Sequence, residues 1–107
     1  MSYYNLGRVY SDKEEHDSAL EWYGKSLAIH EEYYGTDHLR TPADLYHEIG
    51  FVHLKKNDTD KALDYYFKAM AIYENIAKED NGIKPSLAAT YNQIGVVYGK
   101  KGDIHTK

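Results

Sequence analysis

The sequence contains no cysteine, which excludes disulfides and thiolate metal sites. It has two prolines, and its charged residues are interspersed with apolar ones at helical spacing, so a disordered chain is not expected. No apolar run is long enough to cross a bilayer, and no signal-peptide pattern opens the chain. Basic residues are in the minority, 13 against 17 acidic, for a net charge of −4. A nucleic-acid binder needs a basic face to displace the counterions of phosphate, so nucleic acid is not an expected partner. Together these absences predict a cytoplasmic protein with no membrane contact.

What is present is repetition. Tyr3-Tyr4-Asn5-Leu6-Gly7-Arg8-Val9-Tyr10 recurs as Tyr46-His47-Glu48-Ile49-Gly50-Phe51-Val52-His53 and again as Tyr91-Asn92-Gln93-Ile94-Gly95-Val96-Val97-Tyr98. Gly7 and Gly50 are 43 residues apart, and Gly50 and Gly95 are 45 apart. A period of this length marks a stack of supersecondary units, none of which buries its apolar face alone. A second segment follows the first two copies. Ala19, Leu20, Tyr23 and Leu27 align with Ala62, Leu63, Tyr66 and Met70, on the spacing of one helix face. Each unit therefore reads as two helices, A then B. Thr41-Pro42-Ala43-Asp44 reads as a cap for the second A helix, with Thr41 at the N-cap and Pro42 first in the helix. Asp58 or Thr59 caps the second B helix, Asp80-Asn81-Gly82 ends it, and Pro85 opens the third A helix. Gly35 ends the first B helix in left-handed geometry. The helices are predicted at about 2–11, 15–34, 42–55, 59–78 and 85–100.

With these residues in place the chain resembles a tetratricopeptide repeat. Tyr3, Leu6, Gly7, Tyr10, Ala19 and Tyr23 fill that family's places in the first copy. Tyr46, Ile49, Gly50, Ala62, Tyr66 and Ala69 do so in the second, and Tyr91, Ile94, Gly95 and Tyr98 in the third. Ser26 and His53 depart from the usual Ala and Tyr, and the Pro that closes helix B is absent. The usual period is about 34 residues. The longer period here, with Tyr34-Gly35-Thr36-Asp37-His38 between units, is similar to that of kinesin light chains. The resemblance implies an all-α, right-handed solenoid of antiparallel helical hairpins. Its units would span about 1–35, about 41–80 and a partial third at about 84–107. It also implies a module that binds a protein or peptide, without catalysis. The rival readings are a regulatory or sensory region of a larger signalling protein and a self-assembling array.

The chemistry-bearing residues fit the same picture. Of twelve tyrosines, seven (3, 10, 23, 46, 66, 91 and 98) are assigned to repeat packing around the glycines. Tyr4, Tyr33, Tyr34, Tyr65 and Tyr73 are freer. The six histidines lack the spacing of a metal site; His53 is expected to be partly buried and hydrogen-bonded, and His38 falls in the inter-repeat loop. Glu14-Glu15 and Glu31-Glu32 read as solvated helix faces, and no nucleophile is paired with a base. No catalytic residue, metal or cofactor is expected. In stacked hairpins the A helices line the inner face. If residues 3, 6, 7 and 10 turn toward helix B, the opposite positions form a groove: Tyr4, Asn5, Arg8 and Asp12; His47, Glu48, Phe51 and Lys55; Asn92, Gln93, Val96 and Lys100. Asn and Gln offer both donors and acceptors to an extended peptide backbone. Tyr4, Phe51 and Val96 supply apolar pockets. The clamp for a terminal carboxylate found in chaperone-binding members is not reproduced, because His47, Glu48 and Phe51 hold its central places. The third A helix lacks a covering B helix, and this uncapped repeat predicts association with a second copy.

Overall fold

The computed structural model describes residues 2–34 and 40–101, without the side chain of Tyr34. Five α-helices account for nearly all of them: α1 (Tyr3–Asp12), α2 (His16–Tyr34), α3 (Arg40–Lys55), α4 (Thr59–Ala77) and α5 (Lys84–Lys101). A 3-10 turn, Asn81–Ile83, leads into α5. There is no strand among the described residues, so the chain is an all-α helical repeat. No helix among them is long and apolar enough to cross a membrane. Gly35 and His38 lie outside the described residues.

Local chemistry explains the boundaries. Ser2 caps α1 by accepting from the Asn5 N–H at 3.1 Å, and Asp58 caps α4 by accepting from the Lys61 N–H at 3.3 Å. The two A-to-B turns each carry one residue in the left-handed region, Glu14 (φ 62°) and Asn57 (φ 67°), at equivalent places in the repeat. The Asp80 carboxylate accepts from the Gly82 N–H at 2.8 Å and forms the turn before α5. The cap expected at Thr41 is corrected. Helix α3 already begins at Arg40, so Thr41 lies inside it, and Asp44 turns its carboxylate to side chains instead of to the backbone.

The helices pack in chain order, each against the next, with α5 also reaching back to α3. The result is a slab of 46 × 36 × 19 Å. Within each hairpin the glycine of helix A lies against the tyrosine of helix B. A Cβ on Gly7 would stand 2.5 Å from Tyr23 Cδ1, and one on Gly50 would stand 3.0 Å from Tyr66 Cδ1 and 3.3 Å from the Ala62 carbonyl oxygen. Gly50 thus sits opposite Ala62 and Tyr66, as the repeat register requires. Tyr23 and Tyr66 are fully buried.

Of the other five tyrosines assigned to repeat packing, Tyr10, Tyr46 and Tyr98 do pack against the core clusters, and the reading is corrected for Tyr3 and Tyr91. Tyr3 is 41% exposed and Tyr91 46%, while Tyr10, Tyr46 and Tyr98 are half-buried. Two of them act at repeat junctions. The Tyr46 hydroxyl donates to Glu31 at 3.2 Å, and the Tyr91 hydroxyl donates to Glu74 at 2.6 Å. These are the same contact one repeat apart, from an A helix to the B helix before it. Ion pairs repeat in the same way: Lys56 meets Asp17 at 2.7 Å, and Lys101 meets Asp60 at 2.7 Å. Tyr73, read as free, is instead buried in the core with Ala43, Ala69 and Ile83. His53 is buried and stacks on Tyr65 at 5.5 Å, but its Nδ1 has no hydrogen-bond partner among the described residues, contrary to expectation.

Candidate functional site

One cleft of about 240 Å³ receives side chains from α1, α3 and α5 together: Tyr4; Asp44, His47 and Glu48; Ser86 and Ala89. Tyr73 of α4 joins them. The helical period puts Asp44, His47 and Glu48 on one face of α3, three and four residues apart. Ser86 and Ala89 lie one turn apart on α5. Three helices of the A type can thus share one surface because the register repeats from unit to unit.

Hydrogen bonds fix the walls. His47 Nδ1 lies 3.0 Å from the Thr90 hydroxyl oxygen, across the α3–α5 junction. That hydroxyl donates its one proton to the Ser86 carbonyl oxygen at 3.0 Å. With the Thr90 proton on the Ser86 carbonyl, the tautomer of His47 protonated at Nδ1 donates to Thr90 and leaves Nε2 as an acceptor. Burial holds the imidazole below its ordinary pKa, against the pull of Asp44, and so favours the neutral ring. The ring meets Tyr66 edge-on at 5.2 Å. The Tyr73 hydroxyl donates to Asp44 Oδ1, and Arg40 Nε lies 3.5 Å from Asp44 Oδ2 on the exposed side.

Among the described residues Glu48 has no ion pair of this kind. Burial pushes its carboxyl above the usual range; Arg8 opposes the shift, and Asp44 and Asp12 add to it. Its neighbours include the Tyr4 hydroxyl, whose own pKa is raised by burial and by the Glu48 charge. Two buried hydroxyls, those of Tyr23 and Tyr66, have no partner among the described residues, and Glu48 raises the pKa of both after burial itself.

Of the groove residues read from the sequence, Tyr4, His47 and Glu48 come together in this cleft. Arg8 is exposed and reaches Glu48 through its charge. Asn5, Asn92 and Val96 are exposed and Gln93 is half-buried, all outside the cleft lining. Phe51 packs half-buried against the cluster that contains Leu54, Leu63 and Val97, with Lys55 Nζ 5.2 Å from its ring. Sequence reasoning missed Asp44, Ser86, Ala89 and Tyr73. The first three were within reach, because Asp44 precedes His47 by one turn and Ala89 is its repeat equivalent. Tyr73 gave no signal, since it comes from helix B. Among the described residues no group of His, Asp and Glu could hold a metal.

None of the curated proteins compared with the chain matches it. A family model described as tetratricopeptide repeat matches residues 1–75, from α1 through most of α4. The glycine–tyrosine contacts within each hairpin and the junction contacts repeated between hairpins are what such a repeat requires, and the chain belongs to the tetratricopeptide repeat family.

Proposed function

We propose that this chain holds an extended peptide, or a segment of a partner protein, against the face shared by α1, α3 and α5. Tetratricopeptide repeats are generally protein–protein interaction modules and typically non-enzymatic. The observation that carries the reading is the cleft to which all three of these helices contribute side chains. Arg8 continues the Tyr4 face one turn along α1, and Phe51 the His47 face along α3. Gln93 and Val96 continue the Ala89 face of α5. These positions, with Asn5 and Asn92 at the edge, extend the surface beyond the cleft.

The test is selection of randomised decapeptides on the folded chain. Binding that is lost on Ala89→Trp, which fills the cleft from an exposed helix position, is the expected result. Selected peptides that bind the Ala89→Trp chain equally well would move the site to the convex face or the loops.

A further inference from the structure

Resting on that reading, we infer that the cleft seats a cationic, donor-rich group of the bound segment, namely an arginine side chain. The walls present acceptors. Glu48 contributes a half-buried carboxylate that is hydrogen-bonded by the Tyr4 hydroxyl but has no ion-pair partner among the described residues, and Asp44, already met by Tyr73 and Arg40, contributes a second carboxylate. His47, with Nδ1 committed to Thr90, has only the Nε2 lone pair left to offer. No Lys or Arg is among the lining residues. The nearby cations stand outside: Arg40 on the exposed side of Asp44, and Arg8 on the exposed surface of α1.

An independent observation points the same way. The Tyr23 and Tyr66 side chains are fully buried, their hydroxyls are unpartnered, and both feel the Glu48 charge. Each ring lies against the glycine of its hairpin, Gly7 or Gly50, and meets a cleft residue, Tyr23 at 5.8 Å from Tyr4 and Tyr66 at 5.2 Å from His47. The aromatic walls at Tyr4 and Tyr73 suit a cation as well. A guanidinium has five donors and no acceptor, so it complements such a wall and stays charged at any working pH. A carboxylate would meet Glu48 and Asp44 with like charge. Ser86 and Ala89 are small and leave the entrance open.

The test uses the selected decapeptides, synthesised with free and with acetylated N-termini. Each arginine is replaced in turn by citrulline, which keeps the shape and removes the charge. One arginine should prove decisive, with citrulline weakening binding at least about tenfold. Glu48→Gln should weaken the arginine peptide and leave the citrulline peptide unchanged. Equal binding of the citrulline peptide overturns the inference while the groove reading stands. Affinity lost on acetylation instead of on citrulline overturns the side-chain assignment in favour of a chain terminus. If no decapeptide binds in an Ala89-dependent way, the groove reading fails and the inference falls with it. If Glu48→Gln does not fold, the citrulline arm still decides.

Discussion

Gly7, Gly50 and Gly95 hold one place in the repeat and meet three different surroundings. A Cβ on Gly7 collides with the buried Tyr23 ring, one on Gly50 presses against Tyr66, and one on Gly95 meets nothing within 4 Å. Substitution should therefore change sign along the chain. Gly7→Ala and Gly50→Leu overpack closed contacts and should each cost about 1–3 kcal/mol. Gly95→Ala removes only the backbone freedom of a helical glycine and should stabilise by about 0.5–1 kcal/mol. Thermal melts followed by circular dichroism check this, and a Gly95→Ala chain that melts lower would mean that the face of α5 is closed. The same scale governs His47. Because burial lowers its folded pKa, the unfolded chain takes up the proton first as pH falls. The His47 contribution is complete above the ordinary imidazole value of about 6.5 and declines as pH falls below it. Glu48 acts in the opposite sense from about 4.5 upward, since its folded pKa is raised. Stability curves alone would blur the two. NMR titration of the His47 ring separates them, and a midpoint at or above that of an exposed histidine would contradict the buried, neutral assignment.

At the scale of the helix, the same few contacts are reused. Tyr46 to Glu31 and Tyr91 to Glu74 join each A helix to the B helix before it, and Lys56 to Asp17 and Lys101 to Asp60 do so at the other end. These contacts are exposed and individually weak, so they set alignment more than stability. Tyr73 differs, because it is buried and its hydroxyl donates to Asp44 across the α3–α4 contact. Tyr73→Phe should cost about 1–3 kcal/mol, since it leaves a partly buried carboxylate short of a donor. Urea denaturation measures this, and an unchanged midpoint would mean that Arg40 and water satisfy Asp44 unaided. The helices themselves were legible because apolar spacing, prolines and short polar turns all agree on where they lie. The Tyr46 and Tyr91 roles were not, because a family position names a residue type and not the junction it bridges. Tyr73 was invisible for a related reason. Its partner Asp44 is distant in sequence, and the same carboxylate also looked like a capping residue for α3.

At the scale of the whole molecule, the stack is unequal at its two ends. Helix α2 covers the glycine face of α1, and α4 covers that of α3, each bringing an alanine and a tyrosine four residues apart: Ala19 with Tyr23, and Ala62 with Tyr66. On α5 that face is open among the described residues, with Gly95 uncovered and Tyr91 46% exposed. The opposite face of α5 packs through Thr90 and Val97, so helix period separates the open face from the peptide cleft on Ala89. An uncovered apolar strip beside a glycine permits close approach of a second helix. We expect two copies to meet there, α5 against α5, in a two-fold contact that leaves both clefts free. Sedimentation velocity over a concentration series should then show the weight-average coefficient rising toward a dimer. Gly95→Arg should abolish the rise. Arginine is a better helix former than glycine, so the variant should remain folded while its long side chain blocks the approach. A coefficient that stays flat for the parent chain at high concentration would defeat the contact. A rise that survives in Gly95→Arg would place the association on another surface.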